Sequence, residues 1–120
     1  MDKIESRENY LEAILQLTED GKHPRSIDIA KKLGFSKPSI SVAVKKLKED
    51  GLIIVESDGE ILLTKEGMEI AKRTLEKHEY LTTLLIKIGV DPILAEEQAC
   101  KIEHDIDEDT FLKLKKYLEK

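Results

Sequence analysis

The sequence predicts a mainly α-helical protein with one small β-hairpin, arranged as a winged helix-turn-helix followed by a second helical domain. Apolar residues recur at helical spacing over most of the 120 residues, and glycine or proline interrupts the pattern between helices. Two aliphatic runs, 52–56 and 60–64, flank the turn-forming sequence Ser57-Asp58-Gly59, which predicts a hairpin. Two helices joined by a short glycine-containing turn, followed by this hairpin, have the order of a winged helix-turn-helix.

Turn and capping residues delimit the first three helices. The first is predicted over 5–19, and the second is expected to have Ser26 as its N-cap and to stop at Gly34. Ser36 is expected to cap a third helix over 37–50. The apolar positions in these three helices are Tyr10, Leu11, Ile14, Leu15 and Leu17, then Ile27, Ile29, Ala30 and Leu33, then Ile40, Val42, Val44 and Leu47.

Three further helices are predicted after the hairpin. Thr64 is expected to cap a long helix that ends at Gly89, and the pair Asp91-Pro92 is a good beginning for the next. Asp107 is expected to cap the last helix. We therefore expect a winged helix-turn-helix domain over 1–73 and a helical domain over 74–120.

Charge is distributed unevenly along the chain, although the net charge is only −5. Residues 25–48 carry Arg25 and six lysines against Asp28 alone, whereas residues 91–110 carry eight acidic residues against Lys101 alone. A basic surface suits phosphates, and an acidic region favours a bound cation. The two halves of the chain are therefore expected to have different ligands.

Several classes of protein are disfavoured by composition. No apolar run approaches the roughly 18 residues of a membrane span, so no membrane partner is expected. The first six residues have no apolar core of the kind found in signal peptides. The single cysteine, Cys100, excludes an internal disulfide, and a cytoplasmic location is the expectation.

The third helix is the candidate recognition helix for double-stranded DNA. Residues near its N-terminus are placed to meet base edges, and lysines further along are placed to meet phosphates, which add affinity without sequence information. The acidic tip of the hairpin is not expected to bind DNA strongly. The candidate DNA-binding residues are Arg25, Ser36, Lys37, Ser39, Ser41, Lys45 and Lys46.

A candidate metal site lies in the fifth helix. Cys100, Glu103 and His104 are spaced i, i+3 and i+4, so their side chains leave one face of a helix. A thiolate, a carboxylate and an imidazole together suit a transition metal, although each residue alone is more often structural or solvated. Asn9 and Glu12, spaced i, i+3 in the first helix, form a second face that could complete the site.

The chain resembles the diphtheria toxin repressor and manganese transport regulator family of metal-dependent repressors. The resemblance covers nearly the whole chain, and its most specific part is Ala99-Cys100-Lys101-Ile102-Glu103-His104. The other matching segments are Glu8-Asn9-Tyr10-Leu11-Glu12-Ala13-Ile14, Asp28-Ile29-Ala30, Ser36-Lys37-Pro38-Ser39-Ile40-Ser41, Leu62-Leu63-Thr64-Lys65-Glu66-Gly67 and His78-Glu79.

The resemblance implies a homodimer that binds a palindromic operator, with the C-terminal helices forming the metal-binding and dimerisation domain. It also implies metal ligands from three helices. Asn9 falls where relatives use Asp or Met, and Glu96 falls where some iron-type relatives place an ancillary His. The implied ligands are Glu12, His78, Cys100, Glu103 and His104, with Asn9 and Glu96 as further candidates.

The donor set bears on the choice of metal. A thiolate favours Fe(II), Co(II) or Zn(II), whereas carboxylate and carbonyl oxygens suit Mn(II). Iron-type relatives resemble this chain in having Cys at position 100, whereas manganese-type relatives usually have Glu there. We therefore expect activation by Fe(II) or Mn(II), with Co(II) or Zn(II) as substitutes in vitro.

These features together predict a metal-activated repressor of metal-uptake genes rather than an enzyme. One alternative is a winged-helix regulator with a non-metal effector, for which operator binding would not depend on metal. Another is a metallohydrolase with Glu103 or His104 as general base, which a phosphatase or peptidase screen would reveal.

Overall fold

A computed structural model of the protein describes residues 7–119 and confirms a mainly helical fold with one antiparallel hairpin. The expected start of the first helix at residue 5 and the absence of a signal peptide in residues 1–6 concern positions outside the described range. Among the described residues, no helix combines the length and apolarity needed to cross a membrane. The elements are α1 (Arg7–Glu19), α2 (Ser26–Leu33), α3 (Lys37–Glu49), β1 (Ile53–Val55), β2 (Ile61–Leu63), α4 (Lys65–Lys87), α5 (Pro92–Asp105) and α6 (Glu108–Leu118).

The chain forms two compact units, which divide between Lys72 and Arg73 within α4. In the first unit, α1 packs against α2, α3 and β2, and α2 packs against α3. The five apolar residues predicted on α1 are all buried, which agrees with their helical spacing. The principal buried side chains of this unit are Tyr10, Leu11, Ile14, Leu15, Leu17, Ile29, Ile40, Leu47, Leu52, Ile53 and Ile61.

The hairpin pairs β1 with β2 in the register Ile53↔Leu63, Ile54↔Leu62 and Val55↔Ile61. The strands are shorter than the sequence runs that predicted them. Gly59 in the connecting turn has φ 92°, a left-handed conformation that glycine adopts at little cost. The turn therefore needs the glycine that the sequence places there.

Four of the predicted N-caps accept hydrogen bonds from backbone amides at the start of their helices. The Ser36 hydroxyl accepts a hydrogen bond from the Ser39 amide at 3.3 Å, and the Thr64 hydroxyl accepts one from the Gly67 amide at 3.1 Å. The Asp91 carboxylate accepts from the Ile93 and Leu94 amides at the start of α5. Each satisfies amides that have no partner within their own helix.

Asp107 is the fourth of these caps. Its carboxylate accepts a hydrogen bond from the Thr110 amide at 2.7 Å. Hydrogen bonding by the Thr110 side chain and amide holds the pKa of Asp107 below its usual range, because these bonds favour the ionised carboxylate. The predicted beginning of α6 is therefore confirmed.

The predicted N-cap of α2 is wrong. Ser26 is the first helical residue, and the extended residue Arg25 precedes it as the N-cap. The Arg25 amide donates to the Asp28 carboxylate at 2.9 Å, so an acidic side chain in the first turn secures the helix start. The serine is therefore not needed as an acceptor at this helix end.

Two residues that were counted with the apolar faces are exposed instead. Ile27 on α2 is 46% exposed, and Val42 on α3 is 70% exposed. Helical spacing identifies a broad apolar stripe but does not say where the edge of the buried face lies. On α3 the buried side chains are Ile40 and Leu47.

In the second unit, α6 packs against the part of α4 after residue 73. The rings of Tyr80 and Phe111 meet edge to face, with centroids 5.9 Å apart. Lys77 forms an ion pair with Glu108 at 3.4 Å, which adds a polar contact between the same two helices. These contacts fix α6 beside α4 within this unit.

Gly67 allows the start of α4 to approach the chain leading into the hairpin. A Cβ added at Gly67 would lie 2.0 Å from the carbonyl oxygen of Leu52, and a backbone atom cannot move away as a side chain does. We expect Gly67→Ala to destabilise the protein by about 1–3 kcal/mol through overpacking. At an unobstructed helix position the same change stabilises by about 0.8–1.0 kcal/mol. The sign of the change in the free energy of unfolding therefore tells whether Gly67 lies against Leu52.

Urea unfolding of Gly67→Ala and of the parent gives this change in the free energy of unfolding. Glu69→Ala, at an exposed position on the same helix, serves as the control and is expected to differ little from the parent. A Gly67→Ala protein as stable as the parent would show that the helix start does not approach Leu52 so closely.

Candidate functional site

The last two turns of α5 bring the three predicted ligands of one helix together. The sulfur of Cys100, a carboxylate oxygen of Glu103 and an imidazole nitrogen of His104 all lie within 4.8 Å of one another. With metal–ligand bonds of about 2.0–2.3 Å, two ligand atoms of one ion lie no further apart than twice the bond length, which is close to the separation of these three atoms. The donor atoms therefore lie on a shared face of α5, as the helical spacing predicts.

Glu103 is the most deeply buried member of this group. Its side chain is fully buried, and its Oε2 lies 2.9 Å from the Nδ1 atom of His78. Its Oε1 lies 3.4 Å from His104 Nε2 but has no hydrogen-bond partner within residues 7–119. A buried carboxylate oxygen is costly unless it is hydrogen-bonded, paired with a charge or bound to a metal. The arrangement therefore favours a cation next to Glu103.

His78 comes from α4, one helix away from the triad. Besides its contact with Glu103, its Nε2 lies 3.7 Å from Oε1 of Glu96 on α5. The His78 ring is therefore flanked by two carboxylates, one at each nitrogen. The Nδ1 atom of His78 and Oε2 of Glu103 lie at hydrogen-bond distance, so a cation bound here could take both groups as ligands in place of this hydrogen bond, while Glu96 lies beside the other ring nitrogen.

The donor set of the second unit fits a divalent transition metal. Cys100 and Glu103 would bring two negative charges when the thiol is ionised, which balances a divalent ion, and His104 brings a neutral nitrogen. The Glu103 oxygen without a hydrogen-bond partner in residues 7–119 is the observation that tests this fit most directly. Sulfur, oxygen and nitrogen donors together accommodate Fe(II), Co(II) or Zn(II) readily and Mn(II) less so.

The two candidate ligands of α1 belong to the first unit. Glu12 is buried, with 6% of its surface exposed, and Asn9 is half-buried. Burial of a glutamate is unusual for a solvated helix face, which the sequence pattern alone could not reveal. Their participation in metal binding remains a prediction.

The candidate recognition helix α3 presents an exposed polar and basic surface. Ser36, Lys37 and Ser41 are exposed and Ser39 is half-buried, while Lys45 and Lys46 are exposed further along. The Ser36 hydroxyl donates to the Ser39 hydroxyl at 3.1 Å while accepting from its amide. Ser36 is thus engaged in capping the helix, and its role in DNA binding remains a prediction.

Arg25 lies against the tip of the hairpin. Its Nε donates to the carbonyl oxygen of Asp58 at 2.9 Å, and its guanidinium lies 3.6 Å from the Asp58 carboxylate. His23 makes a similar contact with Glu60 at 3.1 Å. The sequence did not predict these contacts, because they join residues more than 30 positions apart. They place Arg25 and His23 beside the acidic hairpin tip, and a DNA contact by Arg25 remains a prediction.

Comparison with protein families divides the chain into two matching parts. Residues 2–61 match the family model described as iron dependent repressor, N-terminal DNA binding domain. Residues 64–120 match the model described as iron dependent repressor, metal binding and dimerisation domain. The triad of α5 lies in the second part and α3 in the first.

Individual relatives agree with the family match. The diphtheria toxin repressor of Corynebacterium diphtheriae is 33% identical over 118 residues, which are 98% of this chain and 52% of that protein. An uncharacterized HTH-type transcriptional regulator of Methanocaldococcus jannaschii, MJ0568, is 33% identical over 118 residues, 97% of this chain and 94% of that protein. The chain thus spans about half the length of the first relative and nearly all of the second.

A solved structure shows the same fold. The manganese regulator SloR superposes with a TM-score of 0.87 and 28% sequence identity, over 99% of this chain and 55% of that chain. The winged helix-turn-helix followed by a helical domain is therefore the fold of this chain.

Proposed function

This chain belongs to the family of iron-dependent repressors, and on that premise we propose that it is a metal-activated transcriptional repressor that binds operator DNA as a homodimer. The observation that carries the proposal is the buried Glu103 carboxylate between His78 and the other two donors of the α5 triad. The Glu103 carboxylate offers a cation site in the second unit, and the first unit carries the basic candidate recognition helix. The regulated genes are those of metal uptake, and the protein acts on DNA in the cytoplasm rather than as an enzyme.

Cys100, Glu103 and His104 are proposed as the centre of the metal site, with His78 and Glu12 as further ligands. The short distances around Glu103 support His78, and the burial of the Glu12 carboxylate supports Glu12. Glu96 and Asn9 are candidates for additional coordination. Fe(II) or Mn(II) is the proposed activating metal, with Co(II) or Zn(II) as substitutes in vitro.

When bound, the metal would supply positive charge to a site that is rich in carboxylates. The chain's own residues would hold the ion. Glu103 orients the His78 ring, and the thiol of Cys100 loses its proton to become a good ligand. The family resemblance implies that Glu12 of α1 is also a ligand, and we propose that metal binding favours the conformation that binds DNA. Metal and DNA would then each raise the affinity for the other by the same factor.

We propose that the α3 helices of two subunits enter successive major grooves of a palindromic operator. The N-terminal residues Ser36, Lys37, Ser39 and Ser41 are proposed to lie near base edges, and Lys45 and Lys46 near phosphates. Their exposure on α3 supports this role. Arg25, whose guanidinium lies 3.6 Å from the Asp58 carboxylate at the hairpin tip, is proposed as a further DNA contact.

A homodimer is proposed through apolar surface of the second unit. Large apolar side chains on α4, α5 and α6, and between α4 and α5, are more than 40% exposed, and burying them against a second copy would stabilise a dimer through the hydrophobic effect. A dimer with two-fold symmetry would bury them and match a palindromic operator. Sedimentation equilibrium at micromolar concentration is expected to give twice the chain mass, and a monomer with and without metal would contradict this. The exposed side chains are Ile86, Ile88, Ile93, Leu94, Leu112 and Tyr117.

Lys45 and Lys46 are expected to contribute affinity without specificity. Replacing either with alanine should weaken binding to all duplexes alike, because an interaction with a phosphate carries no sequence information. The slope of log affinity against log salt should become shallower by about 0.9 for each phosphate that the variant no longer neutralises.

The salt dependence is measured by fluorescence anisotropy on a selected operator and on a scrambled duplex. Lys72→Ala, at an exposed position on α4, is a matched control outside the candidate recognition helix and away from the proposed dimer surface. A variant of Lys45 that changes sequence preference but keeps the salt slope of the parent would assign that lysine to base contacts instead.

The experiment that tests the proposed function selects DNA from a random duplex pool with purified protein. Selection is run with Fe(II) under anaerobic conditions, with Mn(II) and with a chelator. A palindromic motif enriched only with metal is expected. The same motif enriched equally with chelator would indicate a winged-helix regulator with another effector.

A further inference from the structure

Val42 is an apolar side chain in the exposed face of the candidate recognition helix. It is 70% exposed, while Ser41 on one side and Lys45 one turn later are also exposed. A single exposed aliphatic residue needs no functional explanation by itself. Its surroundings on the helix distinguish Val42 from such a residue.

The side chain borders a shallow depression of about 400 Å³ in the first unit. Pro38 lies one helical turn before Val42, and Ala43 is its neighbour, so most of the side chains around the depression are apolar. Buried Tyr10 from α1 and half-buried Ser39 complete the lining. The depression thus lies beside the N-terminal part of α3, where a recognition helix meets base edges.

The charge around this depression favours a polyanion over an apolar protein partner. From Lys37 to Lys48, α3 contains four lysines and no acidic residue, and all four lysines are exposed. Such a helix surface attracts nucleic acid through its phosphates. The apolar patch therefore lies within a surface whose charge matches DNA.

Polar side chains at the start of α3 are poorly suited to discriminate bases alone. The Ser36 hydroxyl is engaged as the N-cap and donates to the Ser39 hydroxyl. Serine hydroxyls pair with several bases in the major groove, so they distinguish them weakly. An apolar contact would add a distinction that the hydroxyls cannot make.

We propose that Val42 contacts the C5-methyl group of a thymine in the major groove and thereby contributes to operator specificity. The thymine methyl is the one apolar group among the base edges of that groove, and small apolar side chains contact it. The inference rests on the proposed DNA-binding function and adds the chemistry by which one base pair is distinguished.

Replacing thymine with uracil tests this contact, because uracil lacks only the methyl group. Selected operators are prepared with uracil at each thymine position in turn, symmetrically in both half-sites. For the parent, one such position is expected to weaken binding about fourfold per half-site, from the burial of one methyl group, or about 16-fold for both.

Val42→Ala removes the two methyl groups that would make the contact. For this variant the uracil penalty at that position should fall to about twofold or less, while other positions behave as in the parent. Ile27→Ala, at a half-exposed apolar position on α2, is the matched control and should keep the full penalty. Both sites are exposed, so unchanged thermal midpoints are expected for the two variants.

A uracil penalty of equal size in Val42→Ala and the parent would overturn the proposal. So would a parent that tolerates uracil at every thymine position while still binding the operator in a metal-dependent way; in that case the proposed function stands and the contact fails. A parent that binds no duplex specifically with any metal would overturn the proposed function together with the contact.

Discussion

His104→Ala is expected to remove metal-dependent DNA binding while leaving the fold intact. The change deletes the nitrogen donor of the α5 triad and leaves Cys100 and Glu103 without their third partner on that helix. Loss of groups that merely support a metal ligand costs about 10–100-fold in metal affinity, so loss of a ligand should reach at least about 100-fold. The measurement is operator affinity as a function of free Fe(II) or Mn(II).

His23→Ala is the matched control for this substitution. His23 is also a histidine paired with a glutamate, but it lies beside the hairpin and is exposed. It should retain the metal response of the parent. Circular dichroism and thermal melting without metal report the fold, and His104→Gln provides a polar variant of more similar size if alanine destabilises the protein. A His104→Gln protein with the metal affinity of the parent would remove His104 from the ligand set.

Cys100→Glu is expected to change which metal activates the protein. The thiolate is a soft donor from which Mn(II) gains least, whereas a carboxylate at the same position adds a hard oxygen to Glu103. We expect the preference to move from about tenfold in favour of Fe(II) or Co(II) to about tenfold in favour of Mn(II), a change of about 2.8 kcal/mol. Operator affinity against the free concentration of each metal measures it.

Cys100→Ser separates loss of the thiolate from gain of a carboxylate. It should weaken Fe(II) and Co(II) activation without improving Mn(II) activation. Both variants should also lose sensitivity to thiol oxidation, because Cys100 is the only cysteine. A parent that already prefers Mn(II), or a Cys100→Glu protein with an unchanged order of metals, would show that this position does not set the metal preference.

The sequence predicted the helical framework well because its signals are local. Asp91-Pro92 begins α5, Asp107 begins α6 and Ser36 begins α3, and each signal acts within three residues of the helix start. The shared face of Cys100 and His104 follows from the same local geometry. Most features that depend on a single helix could therefore be predicted from the sequence, whereas the N-cap of α2 is Arg25 and not the predicted Ser26.

Features that depend on distant residues were not predictable in the same way. The contact of His78 with Glu103 joins positions 25 residues apart, and the family resemblance rather than helical spacing pointed to His78. The hydrogen bond from Arg25 to the Asp58 carbonyl oxygen was not predicted, because nothing near Arg25 in the sequence indicates that it lies beside the hairpin tip. Val42 has the helical spacing of a core residue, and only the packing of α3 exposes it.

Reciprocal coupling between metal and DNA tests the proposed function most directly. Metal affinity is measured with and without saturating operator, and operator affinity with and without saturating metal, for the same protein under anaerobic conditions. Typical couplings correspond to about 5–150-fold, and thermodynamic linkage requires the two factors to be equal. We expect both affinities to rise by one common factor in this range, and a factor of one, with operator bound equally in the presence of chelator, would contradict metal activation.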